Sequence, residues 1–505
     1  MRKMNKYAVL LVFMTAFSCT ERIFAQSHHP DEWWPVGIKE YPGTPGYGNA
    51  WLRFEDGVPL VQPADLNKNF EAAVAVASDT LGNLLFYSNG CEICGGDGQL
   101  LENGQGLNPG SLHEWVCGTV GYTAPRSMTA LPLPGHHSQW IILHIGGSYD
   151  PSRKMVYGPL YLTQIDMVAN GGKGAVTSKN VLVASGEIEP FAIVRHGNGR
   201  DWWVVMPEYG TNRYQVRLLS PQGLSLATVQ AIGSTIGCRR VGSSIFSPDG
   251  SRYARTNSCQ AVVMDFDRCA GVFSNPVLLK RDPGMLGGGG LAFSPDNRWL
   301  YATTDLCIFR ADLDEPEPFL DSLYKRPYAY VDEPPISEYV YGTSLTYIQA
   351  APDGRLYLVA RHRERYYPRF TIQGEGYAFE PEGLDLPVPT VRTLPHFPNF
   401  RLFDLQGSLC DTLGINGPVS VFTPQGGGFS VRFSPNPFNE QFTVSATESG
   451  LLRLYNMDGR QVMSYLLQTG ENQIQTSDME IGIYTWTVLS DEGGIQVGKL
   501  VKARK

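Results

Sequence analysis

Cysteines are the first residues in the sequence whose types and spacing could do chemistry. Cys91 and Cys94 form a Cys-x-x-Cys pair in a glycine-rich stretch, and His113 and Cys117 follow at a short spacing. Four such side chains could ligate one zinc ion. We favour disulfides, because free thiolates rarely persist outside the cytoplasm and the start of the chain predicts export. Cys91, Cys94 and Cys117 are therefore disulfide candidates, and we expect no metal and no cofactor.

A second cysteine pair flanks a tight turn. Cys238 and Cys259 lie at equal distances along the chain from the centre of the Pro248-Asp249 turn. In an uninterrupted hairpin they would face each other at disulfide distance. We predict a bridge between them, and a bulge that shifts the register is the alternative. Of the nine cysteines, Cys19 would be lost with the predicted signal, and other pairings among the remaining eight stay open, since sequence alone does not fix connectivity.

One segment combines positive charge with aromatic rings in a chain that is acidic overall. Residues 361–370 read Arg-His-Arg-Glu-Arg-Tyr-Tyr-Pro-Arg-Phe. Arg presents paired donors to a carboxylate or sulfate, and Tyr can stack on a sugar ring. The segment is therefore our candidate binding site, with the residues Arg361, Arg363, Arg365, Tyr366, Tyr367 and Arg369. The alternative is an ordinary charged loop between two strands.

The sequence lacks the familiar catalytic signatures. It has no Gly-x-Ser-x-Gly nucleophile turn, no His-Glu-x-x-His zinc motif and no phosphate-binding loop. Gly287–Gly290 precede a strand pattern rather than a helix, so we interpret them as a site of close packing. Glu187 and Glu189 could share one strand face as an acid–base pair, but exposed strands often carry such pairs. The lack of these motifs argues against an enzyme but does not exclude one.

The composition narrows the fold that must position these residues. The 505 residues include 55 Gly and 35 Pro, 11% are aromatic and only 18% are charged. Average proteins contain about 25% charged residues. This balance favours many short strands joined by tight turns, and it argues against disorder and helical bundles. A net charge of −8 disfavours nucleic acid as a partner, since neutralising phosphates requires excess Lys and Arg.

The middle of the chain repeats an apolar strand, a tight turn and an aromatic-rich strand. The turns contain Gly82, Gly135, Gly199, Gly250, Asn297 and Gly354. A spacing of about 50 residues is typical of β-propeller blades. We predict an all-β chain in which residues 49–413 form a propeller of seven blades, with six or eight as alternatives. The seventh blade would use Phe400–Phe403 and be closed by the early strand Trp51–Phe54. The Ser-Pro-Asp-Gly turn resembles those of WD-repeat-like and TolB-like propellers.

The N-terminus has the features of a secretory signal. A positively charged segment, Met1–Lys6, precedes an apolar run, Tyr7–Phe17, that is too short to span a membrane. We predict removal of residues 1–25, with a weak lipobox ending at Cys19 as the alternative. Residues 26–48 would then form an extension before the propeller. No later run is long and apolar enough to predict a membrane-spanning segment.

The end of the chain carries an ordered series of β motifs: Pro-Asn-Pro, a strand closed by Asp-Gly-Arg, then Gly-Ile-Tyr and a terminal Lys-x-Val-Lys. Their defining residues are Pro435, Asn436, Pro437, Asp458, Gly459, Gly482, Tyr484, Lys499 and Lys502. In this order the motifs resemble the type A C-terminal sorting domain of the type IX secretion system of Bacteroidota. Three further residues after the last motif depart from the family's ending. The alternative is a small Ig-like sandwich without a targeting role.

The resemblance implies export across the outer membrane by the type IX secretion machinery, followed by attachment to the cell surface or release. We predict that residues 429–505 form a small Ig-like sandwich, joined to the propeller by a linker, 414–428. The expected function is binding or adhesion through the propeller, with a glycan or a protein as the ligand.

Two other functions remain open at this point. One is a propeller-type hydrolase or lyase that acts on extracellular polymers, and the other is a structural matrix component. An enzyme would place several carboxylates, or a nucleophile and a base, at one mouth of the propeller channel. A binding protein would instead show aromatic rings and arginine there. The fold alone does not choose between them.

Overall fold

The computed structural model describes residues 29–38, 48–55, 57–66, 68–150, 154–236, 242–257, 260–281, 289–304, 307–325, 345–359, 364–373, 376–413, 430–456, 461–477, 479, 481–490 and 495–503. The chain divides into two compact units, Met1–Ile415 and Asn416–Lys505. The predicted signal, the predicted linker, Cys238, Cys259, Arg361, Arg363, Asp458 and Gly459 lie outside the described residues.

The first described strands form a three-stranded antiparallel sheet. They are β1 (Trp33–Ile38), β2 (Gly48–Glu55) and β3 (Val58–Ala64). β1 is buried from Trp34 to Ile38, which explains its almost unbroken apolar sequence. It lies within the segment predicted as an extension, so sheet structure begins earlier in the chain than residue 49.

Two four-stranded sheets follow, each with its strands in chain order. The first contains β4 (Ala75–Ser78), β5 (Leu84–Ser88), β6 (Glu92–Gly95) and β7 (Leu100–Gln105), and the short helix α1 (Ser111–Val116) comes next. The second contains β8 (Met128–Pro132), β9 (Gln139–Asp150), β10 (Lys154–Asp166) and, after the helical turn α2 (Ala169–Gly172), β11 (Ala175–Ala184). The outer strands β7 and β11 pair in parallel, at Glu102 and Ala175.

Four more sheets repeat this antiparallel plan. The next is β12 (Ala192–Arg195), β13 (Trp202–Pro207) and β14 (Arg213–Ser220), with β15 (Gly223–Leu224) and β16 (Thr228–Ala231) both paired to β14. Then come β17 (Ser243–Phe246), β18 (Arg252–Thr256), β19 (Ala261–Asp267) and β20 (Val272–Arg281). The next sheet contains β21 (Gly290–Phe293), β22 (Trp299–Thr303), β23 (Cys307–Asp312) and β24 (Phe319–Lys325). The last sheet contains β25 (Tyr347–Ala350), β26 (Leu356–Val359), β27 (Glu364–Gln373) and β28 (Gly376–Thr390).

The six predicted turns each join the first strand of one of these sheets to its second. In the turn Ser247–Gly250 the Gly250 N–H donates to the Ser247 carbonyl at 2.9 Å, and Gly250 adopts a φ of +74° that suits glycine. Asp249 closes the turn by accepting hydrogen bonds from the Ser247 hydroxyl and the Ser251 N–H. These contacts explain why the repeated sequence marks the blades.

Neighbouring sheets share hydrophobic clusters around a closed ring. One cluster joins the sheets of β4–β7, β8–β11 and β12–β16, and further clusters join each later sheet to the next. β1–β3 close the ring: Trp34 packs with Tyr357 of β26, and Trp51 lies edge-on to Tyr87 of β5 at 5.4 Å. The described residues of the first unit therefore form a β-propeller of seven blades, as the repeat predicted. We number the blades from β4–β7 as blade 1, so β1–β3 is blade 7.

The inner position of blade 7 is occupied by residues 391–401, which follow β28. Leu394 and Phe397 pack in the same cluster as Trp34 of β1, so the two ends of the propeller meet in one blade, as expected. The predicted strand at Phe400–Phe403 is wrong, because that stretch is irregular. Prolines at 395 and 398 remove the N–H groups that a strand would donate.

The second unit is a small β-sandwich. One sheet contains β29 (Val431–Ser434), β30 (Gln441–Ala446) and β33 (Gly470–Gln475), and the other contains β31 (Gly450–Tyr455), β32 (Gln461–Leu467), β34 (Gly482–Ser490) and β35 (Ile495–Lys502). Alternate residues of the strands face one buried cluster, as in Phe442 and Val444 of β30 and Leu452 and Leu454 of β31.

Candidate functional site

A central cavity of about 310 Å³ lies where the first strands of blades 2 to 6 meet the inner segment of blade 7. Its mouth contains the exposed residues Ala350, Gly354 and Asn399, and its inner end contains the buried residues Arg126 and His396. A larger space of about 490 Å³ at Ser185–Ile188 and Glu208–Thr211 is only a shallow surface groove. The central cavity is therefore the more defined site.

The wall of the central cavity is largely apolar. First strands of propeller blades are covered on both faces, so they carry nearly continuous apolar sequences. The apolar wall residues are Ala192, Ile193, Val194, Ile245, Phe246, Leu291, Ala292, Phe293, Ile348, Ala350, Ala351 and Phe397. Such a wall suits the apolar body of a ligand.

Arg126 lies at the inner end of the cavity, in the loop before β8. Its guanidinium Nη2 donates to the carbonyl of Ile348 in β25, and its guanidinium carbon, Cζ, lies 5.7 Å from the centre of the Tyr347 ring. Nε is buried without an acceptor, and no carboxylate in the described part of the chain forms an ion pair with this arginine. Burial lowers its pKa to about 10, so the side chain stays cationic at neutral pH.

His396 lies beside Arg126 on the inner segment of blade 7. It is held by its own carbonyl, which accepts a 2.7 Å hydrogen bond from the Thr129 hydroxyl. Burial, together with the charge of Arg126, lowers the pKa of His396 to about 3, so the ring is neutral. Nδ1 is buried and finds no hydrogen-bond partner among the described residues.

The mouth of the cavity is fixed by contacts between the inner segment and neighbouring residues. Arg401 Nη1 lies 2.5 Å from Asp31 Oδ2, and Asn399 Nδ2 donates to the Pro248 carbonyl at 2.8 Å. Asp31 is the sole carboxylate among the described residues that line the cavity, and it is held in this ion pair. The described lining therefore brings together apolar groups and arginine, without a carboxylate pair.

The composition of the segment 361–370 suggested a binding site or a charged loop, but its described part has a different structure. From Glu364 onward it is the strand β27 rather than a loop. Tyr367 is fully buried and donates its hydroxyl to the Thr393 carbonyl, so its inclusion in a binding surface is wrong. Arg369 is paired with Glu380 at 2.5 Å, and Arg365 donates to the Leu386 carbonyl. A binding role for Arg365, Tyr366 and Arg369 stays a prediction.

Cys91 and Cys117 are joined in a disulfide. Cys91, His113 and Cys117 place their potential ligand atoms within 4.8 Å of one another, but the disulfide removes two of the three from metal binding. Cys94 is a buried free thiol, so the prediction that it forms a disulfide is wrong. Cys94 lies within β6, whereas Cys91 precedes this strand and bonds to Cys117 instead. Burial raises the pKa of Cys94 to about 11 and keeps the thiol protonated.

A second disulfide joins Cys269 and Cys410, and it was not predicted from the sequence. Cys269 lies in the turn between β19 and β20, and Cys410 lies beyond the inner segment of blade 7. The two are separated by 141 residues, so no local spacing links them. Gly197 packs against both cysteines, and its carbonyl accepts a hydrogen bond from Leu405 N–H. The bond ties the C-terminal part of the propeller to blade 4.

The sorting-motif residues lie mostly at the end of the sandwich where β35 finishes. Asn436 Oδ1 accepts a 2.9 Å hydrogen bond from the Val501 N–H, between Pro435 and Pro437, which both follow cis peptide bonds. Lys502 is buried, and its ammonium donates to the carbonyls of Thr476 and Met479. Gly482 pairs with Lys502 in the β34–β35 ladder, where Tyr484 and Lys499 also lie. The described residues of the Pro-Asn-Pro, Gly-Ile-Tyr and Lys-x-Val-Lys motifs therefore lie close together.

Residues 433–503 match the family model for the secretion system C-terminal sorting domain. The second unit is a secretion system sorting domain. It indicates export, followed by attachment to the cell surface or secretion, and it implies contact with the type IX secretion machinery. No helix among the described residues is long and apolar enough to cross a membrane.

Several solved structures resemble the chain that carries this sorting domain. A provisional 6-phosphogluconolactonase from Bacteroides uniformis is 12% identical, with 71% of this chain and 98% of that one covered and a TM-score of 0.44. A protein from Lactobacillus plantarum is 12% identical over 72% and 98%, with a TM-score of 0.40. Hydrazine synthase from Kuenenia stuttgartiensis is 11% identical over 72% and 99%, with a TM-score of 0.38. No curated protein matches the sequence. These similarities assign no activity.

Sequence reasoning missed Arg126 and His396, which lie at the inner end of the cavity. Neither belongs to a motif, and they lie 270 positions apart. Arg126 carries one local signal, a φ of +50°, which is unusual for a residue with a side chain, but a backbone angle is not readable from sequence. Only ring closure brings the two residues together.

Proposed function

We propose that the protein is an exported binding module whose propeller holds its ligand in the central cavity. The observation that carries this proposal is the cavity lining, which combines an apolar wall with arginine at both ends. Sorting-domain export would present this cavity outside the cell, where a binding protein meets its ligand.

The lining favours binding over the hydrolase or lyase alternative. Hydrolysis by general acid–base catalysis needs two groups with separate protonation roles near one reacting bond. Asp31 is committed to Arg401, and His396 has a pKa too low to accept a proton at neutral pH. Glu187 and Glu189 do not supply the pair either, because Glu189 is buried against Arg255.

The test blocks the mouth of the cavity and measures binding. Ala350 is exposed and lines the mouth, so Ala350→Trp would fill the entrance without disturbing the core. The full exported chain would be screened against outer-envelope extracts, glycans and peptides, with mass spectrometry for reaction products. We expect a saturable ligand whose affinity falls at least about tenfold in Ala350→Trp.

Leu226 provides the matched control, because it is 90% exposed and lies outside the cavity lining. Leu226→Trp adds the same ring elsewhere and should leave binding unchanged. Equal binding by the Ala350→Trp variant and the wild type would overturn the proposal, as would product formation during the screen. The latter outcome would support the hydrolase or lyase reading.

A second candidate, glycan binding, is favoured by one exposed aromatic pair. Trp115 of α1 and Tyr149 of β9 are 59% and 41% exposed, and their ring centres lie 4.6 Å apart. The Cys91–Cys117 disulfide secures the end of α1 two residues beyond Trp115. Exposed rings held in place can stack on sugars. Loss of glycan binding in Trp115→Ala, with Ala350→Trp unaffected, would favour this surface over the cavity.

A further inference from the structure

The buried guanidinium of Arg126 is electrostatically unusual. A charge removed from water costs several kcal/mol unless a partner compensates it. Arg126 is only 4% exposed, and its one described protein acceptor is the carbonyl of Ile348. A carbonyl dipole does not neutralise a full charge, so the inner end of the cavity carries an excess positive charge.

The protein holds this side chain in place at a cost in backbone energy. The φ of +50° at Arg126 belongs to the left-handed region, where a residue with a Cβ costs about 1 kcal/mol or more. Neighbouring contacts impose it: the Ser127 hydroxyl donates to the Ala124 carbonyl at 2.7 Å, and the Tyr157 hydroxyl donates to the Pro125 carbonyl at 2.7 Å. Strain of this kind is common where a side chain is positioned for a ligand.

The groups around Arg126 leave its charge uncompensated. His396 is neutral, and burial raises the pKa of Tyr157, so that its hydroxyl stays protonated at neutral pH. At the mouth, Asp31 and Arg401 cancel each other. The described lining therefore has a surplus of one positive charge, located at its inner end.

We propose that Arg126 binds the carboxylate of an amphipathic monoanion whose apolar body lies along the wall of the central cavity. This inference rests on the proposed function of the cavity and adds the chemical class of the ligand. One surplus charge matches a monoanion better than a phosphate dianion, since a second negative charge would be buried without a partner. The guanidinium fork matches the planar carboxylate, and the apolar wall accounts for the rest of the ligand.

The experiment compares three probes by isothermal titration calorimetry on the full exported chain. Octanoate has both proposed features, octan-1-ol has the apolar chain alone, and inorganic phosphate has charge alone. We expect octanoate to bind about tenfold or more tightly than octan-1-ol, and phosphate to show no binding at the same concentrations. In Arg126→Met, octanoate should lose its advantage in affinity over octan-1-ol.

Arg217 offers a matched control outside the cavity. Arg217 donates to two backbone carbonyls, of Ser225 and Val183, where Arg126 donates to one. Burial lowers the pKa of Arg217 as it does that of Arg126, so Arg217→Met removes a comparable side chain. This variant should bind octanoate like the wild type.

Two results would overturn the inference. One is the absence of octanoate binding to the wild-type chain at millimolar concentrations. The other is equal octanoate binding by Arg126→Met and wild type. If Ala350→Trp still blocked octanoate and octan-1-ol in that second case, the cavity would remain the binding site and only the role of Arg126 would fail. If Ala350→Trp left every ligand unaffected, the proposed function itself would fail.

Discussion

Arg126 and Arg255 are both buried in the propeller, and they differ in what surrounds their charge. Arg255 in β18 donates from Nε to Glu189 at 2.9 Å, from Nη1 to the Thr211 carbonyl, and lies over the Tyr214 ring. Burial would lower the pKa of Arg255, but the Glu189 carboxylate raises it above the ordinary value. Arg126 has no such partner among the described residues, and burial lowers its pKa to about 10.

The difference separates a structural role from a ligand-binding role. Arg255 links β18 to the loop before β12 and to the turn after β13, so its charge is used within the fold. Arg126 lines a cavity that opens to solvent, so its compensation can come from outside the protein. A buried charge held by a carboxylate is already compensated within the fold, whereas one without a carboxylate partner is a candidate for binding.

The largest effect on stability is expected from replacing Arg255, the arginine that is paired with Glu189. Arg255→Met would leave the Glu189 carboxylate buried without a cation, which typically costs about 3–5 kcal/mol. We expect the thermal midpoint of the propeller to fall sharply, as measured by calorimetry on the full chain. The double variant Arg255→Met with Glu189→Leu should recover much of the loss, since it removes both charges. A single variant as stable as the wild type would show that the pair contributes little and would remove the contrast.

Acid provides a smaller and independent test of the Arg126 environment. The pKa of His396 is about 3 in the folded chain and about 6.5 when unfolded. As the pH falls, the His396 ring takes up a proton in the unfolded chain before it does so in the folded chain. The contribution of His396 to the free energy of unfolding is therefore fully present above pH 6.5. It declines as the pH falls from 6.5 towards 3, by about 2 kcal/mol at pH 5.

The variant His396→Gln should therefore lose less stability than the wild type between pH 7 and pH 5, as measured by denaturant unfolding at each pH. Arg126→Met should also reduce the loss, because the neighbouring charge contributes to the low pKa of His396. His144 is an internal control: its pKa is also lowered to about 3, by burial alone, and His144→Gln in place of His396→Gln should show no coupling to Arg126. Identical pH profiles for wild type and His396→Gln would contradict the assignment.

The propeller was largely predictable from sequence because its signals are local. Each turn, such as Ser247–Gly250, encodes its own geometry through proline, a hydrogen-bonding aspartate and a glycine. The sorting domain was predictable for the same reason, since its motifs occur in order over a short stretch. The inner segment of blade 7 was not, because it has no repeat pattern and is held by distant contacts, such as Thr129 to His396.

The candidate site was less predictable than the fold. The segment 361–370 attracted attention through its composition, yet Tyr367 is committed to the core and Arg369 to Glu380. Arg126 looked ordinary in the sequence, because nothing local tells a partnered arginine from an unpartnered one. That distinction depends on the surroundings of Arg126 in the folded chain, where no described carboxylate pairs with it, and only the closed ring of blades determines those surroundings.

The smallest stability effect is expected at the unpaired arginine. Arg126→Met loses the hydrogen bond to the Ile348 carbonyl, which costs about 1 kcal/mol, but it also removes an uncompensated buried charge. The strained φ at this position cancels in the comparison, because Met adopts the left-handed region no more easily than Arg. We therefore expect stability within about 1 kcal/mol of the wild type, measured under the same conditions as Arg255→Met. A loss as large as that of Arg255→Met would mean that the fold itself depends on the Arg126 charge, and the distinction between the two arginines would collapse.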